Sequence, residues 1–315
     1  MKLKLNKFLY LSYFLVIVLI GISFFDFYKP IFESVNKYNI IKENCYLKKN
    51  TNLPICKDKF VSDWKWLEYY VKNNNPNEKL NNLDAITVTL EIIEHEIYTN
   101  IQFLAPLIIM IAVVFKLHSE YSNCTIKNYL TRMNYKDYLK SKYKYIFRAS
   151  LIIPVSLMII FIIACFMTGF NFNYSDSVKN IAVYTKIKYQ AFPLYFFLLL
   201  LTQYIMCLFY ANIGIFVIKK TKNSILAVVL GYILFLIINI IIYCVLYAFI
   251  LLKLLHLKLP LDVFNITGYL IIRNDYEVIL FLISSIILFV ISFIILKKYY
   301  KNKEEVVCYS ERQNA

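Results

Sequence analysis

The sequence predicts an all-α integral membrane protein with six transmembrane helices, both termini cytoplasmic, and one larger extracellular loop between spans one and two. Three observations carry that prediction. Of 315 residues, 60% are hydrophobic and only 17% charged, whereas soluble domains carry about 25% charged residues. Uninterrupted apolar runs recur six times, on the order of the 20 residues that cross a bilayer as a helix. Finally, taking those runs as spans sorts the charges by side. Segments 1–7, 116–148, 219–223 and 297–315 hold 19 basic and 5 acidic residues, while 26–100, 171–191 and 253–277 hold 16 and 15. Lys and Arg flanking a span resist translocation, so the basic side is cytoplasmic. A basic excess of this kind reflects topology and attraction to anionic lipid headgroups; it does not point to nucleic acid.

Residues 1–25 form the first span with its basic N-terminus. MKLKLNK precedes the apolar run Phe8–Phe25, and the following DFYKP lacks the small residues of a leader cleavage site. Residues 26–100 read as an extracellular helical cap. Its charges nearly cancel, and NNNPNEKLNN around Pro76 is a polar, turn-rich break. Trp64, Leu67, Tyr70 and Val71 recur at helical spacing before the break. Leu80, Leu83, Ile86, Leu90, Ile93 and Ile97 do so after it, on a helix leading into span two. Cys45 and Cys56 lie in the same segment and could close a disulfide, which spacing alone leaves open.

Residues 101–297 hold the other five spans, and 298–315 form a cytoplasmic tail. Span two, about Ile101–Phe115, carries Pro106, which bends it. Span three covers about Ala149–Phe170. Span four, about Phe192–Ile218, is joined to span five, about Ser224–Leu252, by the short basic turn KKTKN. The half-apolar segment Lys253–Glu277 suits an interfacial or re-entrant piece, and span six, about Val278–Leu296, stops at KKYYKNK. Cys165, Cys207 and Cys244 fall in apolar runs as small core residues. Cys124 and Cys308 face the reducing side.

Several chemistries are excluded by what the chain lacks. Its five glycines are scattered singly, so no GxxxxGK[ST] loop exists to cradle nucleotide phosphates. His95, His118 and His256 lie outside the spans, and EHEIYTN lacks the second His of a zinc-protease helix. By these boundaries no Asp, Glu, Lys, Arg or His falls inside a span, which argues against proton relays and intramembrane proteolysis. The expectation is therefore no catalytic residue, no metal and no cofactor in this chain. Thr202, Gln203, Asn212, Asn239, Ser284 and Ser285 are polar residues within spans, suited to bonding between helices. Gln203 and Asn239 are the candidates for a substrate path.

The most informative stretch is Ile101–Arg148. Between Lys116 and Arg148 stand eight basic residues against two acids, Glu120 and Asp137. Ile126, Tyr129, Leu130 and Met133 follow at i, i+3, i+4 and i+7, which predicts a short amphipathic helix with Lys127 and Arg132 near its polar side. Such a helix can also simply lie on the inner leaflet.

The passage FLAPLIIMIAVVFKLHSEYSNCTIKNYLTRMNYKDYLKSK resembles the permease subunits of ABC-2-type bacterial ABC transporters, in particular the group associated with peptide-antibiotic immunity and export in low-GC Gram-positive bacteria. Pro106, Glu120, Thr125, Lys127, Leu130 and Arg132 carry the likeness, and Tyr138, Leu139 and Lys142 extend it. Cys124 stands where that family has a glycine. The resemblance covers about 45 residues and implies that Glu120, Thr125, Ile126, Lys127, Tyr129, Leu130, Arg132 and Met133 form an ATPase-coupling segment. It implies a five-span permease region at 101–297, in a multi-pass protein of the bacterial cell membrane. The implied partners are a separate ABC ATPase that binds the ATP, a second permease chain (homo- or heterodimer) and membrane lipids. The implied cargo is a peptide or lipid-like substrate, and the chain itself is no enzyme. Two alternatives stay open. One is a non-transporting immunity or sensor protein that binds an antimicrobial peptide through the same loop. The other is a membrane enzyme acting at the outer face through His95, Glu94 and Glu96.

Overall fold

A computed structural model of the chain describes residues 7–47, 54–57, 84–122, 125–172, 192–221, 223–254 and 277–301, with single positions at 68, 71 and 256. Among the described residues every regular element is helical. The α-helices are α1 (Lys7–Ile40), α2 (Ala85–Glu94), α3 (Glu96–Ser122), α4 (Thr125–Leu130), α5 (Tyr135–Ala149), α6 (Ile152–Met167), α7 (Phe192–Ile218), α8 (Ser224–Ile240) and α9 (Glu277–Tyr299). π-Helical turns continue α1 through Ile41–Leu47 and α8 through Ile241–Leu254, and Pro54–Lys57 is a 3₁₀ turn. Six helical stretches are long and apolar enough to cross a membrane, making this a multi-pass membrane protein. The chain divides into two compact units, Met1–Leu19 with Glu96–Ile159 and Thr185–Ala315, and Ile20–His95 with Ile160–Tyr184.

The larger unit is built around α7. It opens with Phe192 and Pro193, and proline suits a first helical position because its missing N–H has no partner there anyway. Beyond that the helix is apolar all round and buried along most of its length, as a central bundle helix must be. It packs against α3, α8 and α9, and small residues let the backbones approach. A methyl group at Gly214 would meet Val114 Cγ2 at 3.0 Å and Met110 Cγ at 3.2 Å, and one at Gly231 on α8 would meet Met110 Sδ at 2.9 Å. Met110 of α3 thus fills the notch between two glycines. Asn212 donates to Ser292 Oγ of α9 at 2.9 Å, a bridge between spans four and six. Phe8 at the start of α1 stacks on Phe115 of α3 at 4.7 Å.

Within this unit α5 departs from the sequence expectation. The expected cytoplasmic loop 116–148 is largely helical. Residues up to Ser122 are the last turns of α3, and α5 runs through Ala149, separated from α6 only by a turn at Ser150–Leu151. Moreover, Tyr145 donates to Ala112 O of α3 at 2.8 Å, and Tyr143 lies 5.5 Å from Phe293 of α9. The second half of α5 therefore stands beside spans two and six. The expectation of charge-free spans is corrected accordingly, since Lys142, Lys144 and Arg148 belong to a helix packed among them. Span three was expected to start at Ala149 because the charges end there. Tyrosine contacts hold the preceding, basic half against the bundle.

The smaller unit corrects the boundary drawn at residue 25. The first helix does not stop at the end of the apolar run. It continues through Asp26, Lys29, Pro30 and Glu33 to Ile40, so the expected cap begins inside a helix. At its far end Cys45 and Cys56 are joined, with Cα atoms 5.6 Å apart. Ile41, Cys45 and Cys56 form a small core with Tyr46, Ile55 and Val71, and Tyr38 donates to Val71 O at 2.9 Å. Trp64, Leu67, Tyr70, Leu80, Leu83, Cys308 and nearly all of Lys253–Glu277 lie outside the described residues.

Asp84 caps α2, its carboxylate accepting from Thr87 N at 2.9 Å and from Thr87 Oγ1 at 2.6 Å, which satisfies donors that a helix start leaves open. Leu90 and Ile93 are buried as their spacing predicts, but so are Ala85, Thr87, Val88, Thr89 and Ile92. The amphipathic stripe expected there is thus a helix buried nearly all round. His95 adopts an extended conformation (φ −66°, ψ 143°) and ends α2 one residue before α3 begins. Its Nε2 lies 3.6 Å from Asp26 Oδ2; the Glu94 and Glu96 side chains are outside the described residues.

The glycine notch yields a prediction. Gly214→Ala presses a methyl onto Val114 and Met110 carbons and destabilises by about 1–3 kcal/mol. Gly231→Ala meets only the flexible end of Met110 and costs less. Thermal unfolding of the two variants in detergent should rank them in that order, and adding Met110→Ala should relieve the Gly231→Ala contact while leaving the Val114 contact of Gly214→Ala in place.

Candidate functional site

The last turn of α3 carries a carboxylate that is almost wholly buried. Glu120 is 6% exposed. Taking a charge out of water costs several kcal/mol unless partners replace the hydration, and two lysines do so here. Lys116, one turn earlier on α3, reaches Glu120 Oε1 at 3.2 Å, and Lys142 of α5 bonds Oε2. Four-residue spacing places Lys116 above Glu120 on one helix face; Lys142 comes from a different helix and is held by other contacts.

Those contacts are aromatic. Lys142 Nζ lies 4.8 Å from the centre of the Tyr138 ring and 5.3 Å from that of Tyr129 on α4, distances at which a ring face attracts a cation. Tyr138 is buried and stacks with Tyr135 at 6.3 Å. Tyr135 in turn donates to Tyr300 O at 2.8 Å, just past the end of α9. The Tyr300 hydroxyl donates to Ile215 O of α7 at 3.3 Å and lies 3.4 Å from the Tyr121 hydroxyl of α3. Lys219 closes the group, donating to Tyr299 O at 2.8 Å with Nζ 4.4 Å from the centres of both the Tyr299 and Tyr300 rings. One end of the bundle is therefore tied together across α3, α4, α5, α7 and α9 by tyrosines and two lysines.

The short helix α4 sits on this cluster. Ile126 is fully buried, Tyr129 and Leu130 are half-buried, and Asn128 and Arg132 are exposed. The stripe was expected to run helically through Met133. The helix ends at Leu130, and in the turn that follows Arg132 N and Met133 N share the Tyr129 carbonyl, each at 3.0 Å. Met133 is half-buried in the turn that follows, and Asn134 starts α5 with Asp137 in its first turn, where a negative charge suits the helix dipole. Asn123, Cys124 and the side chains of Thr125 and Lys127 lie outside the described residues. Of the expected coupling residues, the cluster gathers Glu120 and Tyr129. It adds Lys116, Tyr121, Tyr135, Tyr138, Lys142, Lys219, Tyr299 and Tyr300, which sequence reasoning had not placed in a site. The Lys116–Glu120 spacing signals one of these pairs in advance, and Tyr138 and Lys142 stand out only as residues that extend the resemblance.

The two substrate-path candidates have different surroundings. Gln203 is fully buried, facing Tyr98 together with Gln102 and Ser156, which makes a polar centre between α3, α6 and α7. Asn239 is half-exposed near the end of α8. Among the described residues no group of three or more His, Cys, Asp or Glu is placed to hold a metal.

Removing Lys142 isolates half of a buried carboxylate. Lys142→Met should lower stability by about 3–5 kcal/mol, read as a fall in Tm of the purified protein. Lys116→Met should cost less, because Lys116 is the more exposed partner. Glu120→Met combined with Lys142→Met should recover much of the loss; equal Tm values for the two lysine variants would dismiss the clasp.

Comparison with protein-family models, with curated proteins and with solved structures returned no match.

Proposed function

We propose that this chain is the permease subunit of an ATP-driven, ABC-2-type exporter in a bacterial cell membrane. It moves a peptide or lipid-like substrate and is coupled to a separate ATPase through residues 116–148. The observation that carries the reading is the Glu120 clasp, which ties the exposed face of α4 to the ends of helices that run through the bundle. Displacement of α4 would pull on α3 through Tyr129, Lys142 and Glu120. It would pull on α7 and α9 through Tyr138, Tyr135 and Tyr300. A partner docked on Asn128, Leu130 and Arg132 would thus move several spans at once.

Other observations agree with this assignment. The sequence has no phosphate-binding glycine loop, which agrees with energy entering from a separate ATPase. The Cys45–Cys56 disulfide suits an oxidising compartment and hence the outer side of the membrane. The polar centre at Tyr98, Gln102, Ser156 and Gln203 offers a substrate's polar groups a place inside the bundle. Two such permease chains and two ATPases would make the working assembly.

The test is reconstitution in proteoliposomes with any ABC ATPase encoded beside this chain. The pair should form a complex whose ATP turnover rises over that of the ATPase alone. Arg132→Glu with Leu130→Ala should reduce that rise roughly tenfold or more, as expected for the centre of an interface. Lys301→Gln, at the end of α9, should leave it intact. Absence of both a complex and stimulation would sink the reading.

A further inference from the structure

Along the outer side of α5, Lys140, Lys144 and Arg148 recur every four residues, forming one stripe about 12 Å long. All three are exposed, and among the described residues none of them makes a salt bridge. The stripe edges an open cavity of about 380 Å³ whose walls are Tyr143, Phe147, Leu151 and Tyr204 of α7. Asp137, the one acid nearby on α5, is exposed three residues before Lys140 and does not line the cavity.

The depth of this furrow makes it unusual. Tyr204 precedes Ile218, the last residue of α7, by fourteen positions, about 20 Å along a helix. Arg148 shares the cavity with Tyr204, so a cation stands beside the middle of span four. A lone Arg or Lys near a span end snorkels to the interface. Here three cations descend in steps from that interface alongside an apolar wall. Cations at membrane depth call for an anion or water, and the wall disfavours a fully hydrated ion. A negatively charged head joined to a hydrocarbon chain satisfies both surfaces.

We propose that this furrow binds an anionic glycerophospholipid of the cytoplasmic leaflet. Its phosphate sits on Lys144 and Arg148, Lys140 guides it in from the interface, and an acyl chain lies along Phe147, Leu151 and Tyr204. The proposal rests on the basic side being cytoplasmic and is independent of coupling to any ATPase.

Native mass spectrometry of the full-length protein, released from micelles with equal amounts of phosphatidylglycerol and phosphatidylcholine, tests it. The wild-type chain should retain phosphatidylglycerol in preference. Lys144→Gln with Arg148→Gln should cut that retention roughly twenty-fivefold, about fivefold per cation removed. Lys297→Gln with Lys298→Gln, exposed at the end of α9, should change it by less than about twofold. Arg148→Lys should keep the preference, and Lys144→Gln alone should show its single-cation share if the double variant does not fold. Excess glycerol phosphate should displace nothing. Equal retention of the two lipids, equal loss in the control pair, no loss in the site variants, or displacement by the soluble phosphate would each overturn the proposal.

Discussion

A carboxylate that has lost nearly all contact with solvent dictates the arrangement of one end of this protein. Glu120 at 6% exposure is tenable only while both oxygens are paired, and its partners come from α3 and α5. That requirement sets how far α5 can slide along α3. It also positions Tyr129 and Tyr138, whose rings flank the Lys142 ammonium, and through Tyr129 it seats α4. Breaking the pair would therefore release more than one contact.

The tyrosines around it have a second role. A tyrosine at a membrane boundary combines an apolar ring with a hydroxyl that still finds a partner. Tyr121, Tyr135 and Tyr300 use this to join α3, α5, α7 and α9 through bonds to backbone carbonyls and to one another. Directional bonds of this kind hold helices more specifically than apolar contact, which in lipid has no hydrophobic drive behind it. The opposite face of α5 is left open, and its cations line the furrow with Tyr204. One helix thus presents a paired charge inward and, among the described residues, cations without a salt bridge outward.

Part of the site was legible. The i, i+3, i+4 spacing of Ile126, Tyr129 and Leu130 announces a short helix with a buried side, and Ile126 is indeed fully buried. Lys116 and Glu120 announce a pair through their four-residue separation. Met133 follows the same periodicity yet falls beyond the helix, in a turn whose Arg132 and Met133 N–H groups share the Tyr129 carbonyl. Lys142 and Tyr300 could not be assigned in advance. Their partners are 22 residues away at Glu120 and 165 residues away at Tyr135, and local periodicity carries no information across such separations.

Hydropathy and charge alone determined that the chain is helical, with six stretches among the described residues long and apolar enough to cross a membrane, because a backbone in hydrocarbon must satisfy its own hydrogen bonds and charges stay out. Composition likewise determined that no phosphate loop is present. Tertiary structure decided where those rules bend. It carried α1 fifteen residues beyond Phe25 to Ile40, joined Cys45 to Cys56, and gathered Tyr98, Gln102, Ser156 and Gln203 around one buried centre. It also drew the basic half of α5 in beside the spans. A segment's own hydropathy places it outside the membrane, but specific bonds such as Tyr145 to Ala112 O and the clasp on Glu120 outweigh that preference, and they exist only once the helices are packed.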